Sequence, residues 1–126
     1  MKEQVQTDKA PKAVGPYSQA IVYGDLIFCS GQVGIDPQTN NLVEGGIEKE
    51  TTQVLKNLAA VLEAAGTNKE KVLQTEIFIA NIADYAKVNE LYGQFFNVAI
   101  KPARATVEVS KLPKDALIEI SCIAHI

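Results

Sequence analysis

The chain of 126 residues has few of the side chains from which metal sites and disulfide frameworks are built. Its one histidine, His125, lies beside the C-terminus, and its two cysteines, Cys29 and Cys122, have no CxxC partner. We therefore expect no metal site, and two cysteines are too few for the framework of a small secreted domain. Both cysteines are predicted to be buried in apolar strands. His125 has the chemistry of a general base, although a partly exposed side chain in a terminal strand is the simpler prediction.

Tryptophan, positive charge and long apolar runs are also scarce. The chain has no tryptophan, and 12 basic residues against 15 acidic ones give a formal net charge of −3. This balance does not favour a nucleic-acid or anionic lipid surface. No run approaches the ~20 apolar residues of a membrane span, and residues 1–11 carry no apolar signal-peptide core. We expect a cytoplasmic protein with a small soluble ligand and no membrane partner.

Nothing in the chain marks a boundary between domains. The composition, with 47% hydrophobic and 21% charged residues, is that of an ordinary globular domain. The longest irregular stretch, residues 35–46, is rich in turn-forming residues and predicts a surface loop. We therefore predict a single domain over residues 1–126.

The N-terminal half contains a predicted β-hairpin. Residues 19–23 and 26–30 are rich in β-branched and aromatic side chains and flank Gly24-Asp25, a suitable two-residue turn. With Tyr23 opposite Leu26, both faces of this hairpin are apolar. We expect helices to cover one face and another subunit to cover the other.

Two helices are predicted farther along the chain, with a strand between them. Apolar residues recur at helical spacing over residues 47–65 and 84–96, whereas residues 72–80 alternate as a strand with Leu73, Thr75, Ile77 and Ile79 on one face. These stripes are typical of core packing rather than cofactor binding. Short right-handed crossovers would place both helices on one face of a mixed β-sheet, an α+β fold. The uncovered apolar face then predicts a closed cyclic oligomer.

The C-terminal residues alternate as two further strands, which we predict to pair as a hairpin. If the apolar residues of the two strands lie opposite each other, the polar residues share the other face. The apolar set is Ala105, Val107, Val109, Ile118, Ile120 and Cys122, and the polar set is Arg104, Thr106, Glu119 and Ser121. This register predicts that Arg104 and Glu119 form the charged centre of a small-molecule site.

The chemistry of this pair suits a carboxylate ligand. The planar guanidinium of Arg104 offers two parallel donors and stays charged at physiological pH. The carboxylate of Glu119 can hold a water molecule or relay protons. The same spacing also fits a structural ion pair between the two side chains, and the sequence alone leaves both interpretations open.

Three other segments carry candidate ligand contacts, each with a plain structural alternative. Tyr17, set by Gly15-Pro16, either closes over a ligand or packs against the protein. Ser30-Gly31 ends a strand where backbone N–H groups can meet an anion, but it serves equally well as a turn. Asn89, in the second helix beside the apolar stripe, needs a polar partner if it is buried.

Five motifs in order along the chain resemble the Rid family, also known as YjgF/YER057c/UK114. They are Gly-Pro-Tyr-Ser-Gln at 15–19, Ser-Gly-Gln at 30–32, Pro-Ala-Arg at 102–104, Leu-Pro-Lys-Asp at 112–115 and Ile-Glu-Ile at 118–120. The resemblance covers nearly the whole chain, and Pro-Ala-Arg followed at this distance by Ile-Glu-Ile is specific to the family. It implies a chorismate-mutase-like subunit in a barrel-like homotrimer with active sites between subunits.

The resemblance also implies an activity. Members with these motifs are 2-iminobutanoate/2-iminopropanoate deaminases, which hydrolyse products of threonine and serine dehydratases to 2-oxo acids and ammonia without a cofactor. Arg104 would hold the substrate carboxylate and Glu119 the attacking water. The remaining substrate-binding residues would be Tyr17, Ser30, Gly31, Asn89 and Thr106. Thr106 stands where many of these enzymes have cysteine, so a role that needs a thiol is excluded there.

Two other functions remain as alternatives. Members of the family have been described as endoribonucleases and translation inhibitors, but an acidic chain without an aromatic and basic cluster lacks the usual means of holding RNA. The other alternative is a non-enzymatic metabolite-binding or chaperone-like trimer, in which Arg104 senses a 2-oxo acid.

Overall fold

The computed structural model describes all 126 residues and contains two helices and eight strands. In chain order these are β1 (Glu3–Val5), β2 (Ala20–Tyr23), β3 (Leu26–Val33), β4 (Ile35–Asp36), β5 (Asn41–Leu42), α1 (Gly46–Ala64), β6 (Val72–Ile79), α2 (Tyr85–Phe95), β7 (Ala103–Glu108) and β8 (Ile118–His125). Six strands form one mixed sheet in the order β1-β2-β3-β8-β6-β7, and β4 pairs with β5. Neither helix combines the length and the apolar character that a membrane span needs.

The predicted first hairpin and both predicted helices are confirmed. Tyr23 pairs with Leu26 across the turn at Gly24, whose φ of 59° suits a residue without a side chain. Helix α1 spans Gly46–Ala64, within one residue of the predicted range, and a left-handed Gly66 follows its end. Cys29 and Cys122 are buried, unbonded and opposite each other in adjacent strands, as small hydrophobes.

Both helices lie on one face of the sheet, as predicted. Helix α1 packs against α2 and against strands β3 and β8. The contact buries the apolar stripes of the helices against the alternate residues of the central strands, where full burial of each large aliphatic side chain stabilises the fold by about 1.5–3 kcal/mol. The fully buried residues include Val54, Leu58, Val61, Leu62, Ile77, Ile118 and Ile120. On the other face Phe28 and Val107 are 43% and 46% exposed, so no element of the chain covers this face.

The predicted C-terminal hairpin is wrong. Strand β7 pairs in parallel with β6, while β8 lies between β3 and β6 and pairs antiparallel with both. The last strand is therefore central, and β7 is an edge strand. The prediction failed because it took consecutive strands as neighbours; the nine residues 109–117 instead carry the chain past β6.

The new strand order also reverses which residues share a face. Arg104 lies beside Thr75, and Thr75 lies beside Cys122 on the helix-covered face. Because directly opposed residues point the same way, Arg104 and Thr106 share the helix-covered face, whereas Glu119 and Ser121 project from the open face. The prediction that Arg104 and Glu119 share one face is therefore wrong within a single chain.

A second correction concerns the start of β6. The register between β6 and β8 shifts between Val72 and Gln74, as it does at a β-bulge. The bulge turns Leu73 outward, where it is 46% exposed, and Val72 takes the buried position instead. Alternation predicted Thr75, Ile77 and Ile79 correctly, since all three lie beyond the bulge.

A buried asparagine on α1 fixes the end of β3. The side-chain amide of Asn57 donates to the carbonyl oxygens of Val33 at 3.2 Å and Ile35 at 2.9 Å. Its own oxygen accepts from the Gln53 amide at 2.8 Å. Asn57 is completely buried, so these bonds satisfy groups that water cannot reach. The end of β3 is thereby held against the helix.

We expect Asn57→Ala to lower the free energy of unfolding by about 2–4 kcal/mol, because it leaves two carbonyl groups without a donor and opens a cavity. Urea denaturation followed by circular dichroism measures this change. The control is Lys56→Ala at the neighbouring exposed position, which should stay within about 0.5 kcal/mol of the wild type. Equal stability of the two variants would contradict the anchoring role of Asn57.

Candidate active site

The side chain of Arg104 is held at the edge of the sheet by two tyrosines of α2. One terminal nitrogen, Nη2, donates to the Tyr85 hydroxyl at 2.9 Å. The guanidinium carbon lies 4.9 Å from the centre of the Tyr92 ring and 5.6 Å from that of Tyr85. The Tyr92 hydroxyl is in turn fixed by a 2.7 Å hydrogen bond with Thr75. Arg104 thus has a defined position on a rigid support.

The positive charge of Arg104 is not neutralised within the chain. The two salt bridges of the protein, Lys87–Glu48 and Lys111–Asp115, lie on the exposed surface. A structural Arg104–Glu119 ion pair is therefore absent. Hydrogen bonding to a phenol and stacking on an aromatic face leave the full charge in place, with further N–H groups free to donate. This is the arrangement that a carboxylate ligand requires.

Two polar atoms near Arg104 are buried without a partner. They are Oδ1 of Asn89, on α2, and Oγ1 of Thr106, two residues from Arg104 on the same face. A buried polar group without a hydrogen bond costs about 1–3 kcal/mol, so such groups call for a specific reason. A ligand that supplies the missing partners is a reason consistent with the adjacent free cation. We call Tyr85, Asn89, Tyr92, Arg104 and Thr106 the Arg104 cluster.

On the opposite face, Glu119 projects from the central strand β8. It lies between Val33 of β3 and Phe78 of β6, and its carboxylate has neither a hydrogen bond nor an ion pair within the chain. Burial beside these neighbours raises the pKa of Glu119 above its ordinary value. A carboxylate whose pKa moves toward neutrality is suited to exchanging protons with a bound water.

The space for this carboxylate depends on a glycine in a β-bulge. Ser30 and Gly31 of β3 together lie opposite the single residue Ser121 of β8. A Cβ atom at Gly31 would stand 2.6 Å from Cδ and Oε2 of Glu119, far inside contact distance. A side chain at position 31 would displace the Glu119 carboxylate, so glycine here permits close approach rather than a special backbone angle.

The bulge also anchors the segment that carries Tyr17. The Ser30 hydroxyl donates to the Ser18 carbonyl at 2.6 Å, and the Ser30 amide donates to the Gln19 carbonyl at 3.0 Å. Tyr17 and Gly31 line one cavity of about 140 Å³. The predicted residues Tyr17, Ser30, Gly31 and Glu119 thus lie together, and we call them the Glu119 cluster.

The six residues predicted to bind substrate, together with Glu119, therefore fall into two clusters on opposite faces of the sheet. The sequence interpretation missed Tyr85 and Tyr92, which hold Arg104. Tyr85, Asn89 and Tyr92 are spaced as i, i+4 and i+7, so helical periodicity does place them on one face. What periodicity lacked was the strand they meet, because β7 lies beside α2 only through its parallel pairing with β6. His125 is partly exposed, as predicted, and belongs to neither cluster.

Comparison with known proteins agrees with this architecture. Residues 7–126 match the family model described as Endoribonuclease L-PSP. The solved structure of a Rid-family protein from Yersinia pestis is similar with a TM-score of 0.98 and 52% identity, covering 100% of both chains. A RutC family protein of Pyrococcus horikoshii is 50% identical over 99% of this chain and 98% of its own.

A human relative is named for its activity. The human 2-iminobutanoate/2-iminopropanoate deaminase is 44% identical over 98% of this chain and 90% of its own length. Sequence similarity at this level over nearly the full length, together with the matched fold, shows common ancestry. The chain belongs to the Rid family, as its motifs indicated.

Proposed function

We propose that this protein hydrolyses small 2-imino acids, such as 2-iminopropanoate and 2-iminobutanoate, to 2-oxo acids and ammonia. The observation that carries the proposal is the free, rigidly held guanidinium of Arg104 with two unpartnered polar atoms beside it. The name and similarity of the human relative support the same reaction. The substrate class is a small acid because the anchor recognises one carboxylate.

We further propose that the working site forms between copies of the chain in a homotrimer. Arg104 and Glu119 lie on opposite faces of one sheet, so they cannot flank one small molecule within a single chain. Strand β7, which carries Arg104, is an edge, and the open face that carries Glu119 exposes Phe28 and Val107. Packing the edge of one copy against the open face of the next would bury apolar surface and bring the two clusters together.

In this site Arg104 binds the substrate carboxylate and leaves the imine carbon facing the neighbouring copy. A bidentate guanidinium contact fixes both the position and the plane of the carboxylate. Oδ1 of Asn89 and Oγ1 of Thr106 are then available to the imine nitrogen and the second carboxylate oxygen. Holding the substrate in attack geometry removes much of the entropic part of the barrier.

Glu119 of the neighbouring copy supplies the acid and base chemistry. It takes a proton from water as the water oxygen bonds to the imine carbon, and the C=N electron pair moves to nitrogen. It then returns the proton to that nitrogen. The C–N bond breaks as Glu119 takes the hydroxyl proton of the tetrahedral intermediate, so the C=O bond forms and ammonia leaves, and Glu119 passes this last proton to the departing ammonia. Imine and water are consumed, and 2-oxo acid and ammonia are released. Atoms and protons balance, and the reaction requires no cofactor. Because protonated imines are electrophilic, little more is required of the protein.

Loss of the anchor should abolish the activity. We expect Arg104→Ala to reduce the accelerated hydrolysis of 2-iminopropanoate, generated by a serine dehydratase, to the rate without protein. Lys87→Ala, which removes an exposed cation of α2, is the charge-matched control and should retain wild-type activity. Sedimentation velocity establishes that both variants keep the oligomeric state of the wild type. Full activity in Arg104→Ala would contradict the carboxylate-binding role.

Glu119 should determine the acidic limb of the pH profile. Its pKa is raised by burial, so the carboxylate becomes protonated, and loses its function as a base, at a pH above the ordinary range for glutamate. We expect the enzymatic rate, corrected for spontaneous hydrolysis, to fall as the pH drops through this raised pKa. Glu119→Gln should lower the rate by about 100-fold or more and remove this limb. An unchanged limb in Glu119→Gln would assign the titration to another group.

The space above Gly31 should be equally necessary. Gly31→Ala places a methyl group where the Glu119 carboxylate lies, so we expect a loss of activity comparable to that of Glu119→Gln. Gly93→Ala is the matched control, because a Cβ atom at this position on α2 meets nothing within 4 Å. That variant should keep its activity and gain about 0.4–1 kcal/mol in stability. Normal activity in Gly31→Ala would show that Glu119 does not need its observed position.

Salt-dependent binding separates this proposal from RNA cleavage. An RNA-binding protein loses affinity steeply as salt rises, since phosphate contacts release counterions. With a net charge of −3, this chain should show no such binding to single-stranded RNA at physiological salt. Turnover of fresh imine likewise separates an enzyme from a non-catalytic metabolite-binding trimer.

A further inference from the structure

We propose that Tyr85 is a second anchor for the substrate carboxylate, whose hydroxyl accepts a hydrogen bond from Arg104 and donates its own proton to a carboxylate oxygen. The inference rests on the proposed function and extends the site to a residue outside the family motifs noted above. It comes from the hydrogen bonding of one phenol beside the unpaired cation.

The direction of the contact with Arg104 determines what the Tyr85 hydroxyl can still do. A guanidinium has no acceptor, so in the 2.9 Å bond the Nη2 nitrogen donates and the phenol oxygen accepts. The hydroxyl proton therefore takes no part in this bond. The Tyr85 hydroxyl donates to no acceptor elsewhere in the chain, so its proton is available to a ligand.

The location of this proton suits a carboxylate bound to Arg104. Tyr85 is 40% exposed at the first residue of α2, so the hydroxyl is accessible from solvent. It is in direct contact with a terminal nitrogen of the guanidinium, which still has an N–H to offer. An oxygen that accepts from that nitrogen lies within reach of the phenol proton. Two donors of different residues would then converge on one carboxylate.

The charge around Tyr85 strengthens it as a donor. The polar side chain of Asn89 and the positive charge of Arg104 lower the pKa of Tyr85 below its ordinary value. A more acidic phenol forms stronger hydrogen bonds to anions. Tyr92, on the same helix, has its pKa raised by burial, and its hydroxyl is already paired with Thr75. Tyr85 is thus the tyrosine of the cluster that is free to bind and the first to ionise.

Ionisation of Tyr85 gives the inference a distinctive pH dependence. The groups that act on the hydroxyl are Arg104 from β7 and the uncharged side chain of Asn89 from α2, and Tyr92 of α2 packs on the same guanidinium. Arg104 remains charged at all relevant pH values. Once Tyr85 loses its proton, it can no longer donate and its charge repels a carboxylate. Carboxylate affinity should therefore fall on the alkaline side, through a pKa below that of a free tyrosine.

The test measures binding of 2-oxobutanoate, a product of the proposed reaction, by calorimetry across neutral and alkaline pH. At neutral pH we expect Tyr85→Phe to bind about tenfold more weakly than the wild type, the effect of one hydrogen bond to a charged group. We also expect this variant to lose the alkaline fall in affinity. In the imine assay KM should rise by a similar factor, with kcat much less affected.

Two variants serve as controls, Tyr23→Phe and Arg104→Ala. Tyr23→Phe removes a hydroxyl from an exposed tyrosine remote from both clusters and should behave as the wild type. Wild-type affinity in Tyr85→Phe would overturn the inference, and so would weaker binding that keeps the alkaline fall, because the hydroxyl would then act only by positioning Arg104. If neither wild type nor Arg104→Ala binds 2-oxobutanoate or turns over imine, the proposed function itself fails. If only Arg104→Ala is defective, that function stands without Tyr85.

Discussion

The parallel pairing of β7 with β6 is the constraint on which the placement of every functional side chain depends. It puts β7 at the edge of the sheet beside α2, where Arg104 meets Tyr85 and Tyr92. It also leaves β8 between β3 and β6, where Glu119 reaches the bulge at Gly31. Had β7 and β8 formed a hairpin, β7 would have taken the place of β6 beside β8, and Arg104 would have lost its aromatic support.

The two clusters achieve reactivity by opposite physical means. Arg104 keeps an unneutralised charge because its neighbours are phenols, which orient a cation without cancelling it. Glu119 has no donor at all, so partial burial shifts its pKa toward neutrality. In the proposed oligomer, the unpaired Arg104 of one copy and the unpaired Glu119 of the next would face each other across a subunit boundary. A small acid would then bind to Arg104 and a water molecule to Glu119.

The correct and incorrect predictions follow from the range of the interactions that decide each feature. The first hairpin, both helices and the burial of both cysteines depend on turn chemistry and periodicity within about 20 residues, and these were predictable. The exposed position of Leu73 was not, because a bulge shifts alternation by one residue. The face of the sheet on which Arg104 lies was not predictable either. Which residues of two strands share a face can be assigned only when it is known which strands are neighbours.

The sequence by itself determined the residues of the chemistry, the element types, one apolar face without a cover and, through its motifs, the Rid family. These properties lie in residue identity and in local periodicity, which a linear pattern records. Only the tertiary structure decided that Arg104 and Glu119 face opposite ways, that Tyr85 and Tyr92 hold the guanidinium, and that Gly31 makes room for a carboxylate. Each of these depends on contacts between strands or helices distant in the chain, and strand order is set by the packing of the whole sheet rather than by any one segment.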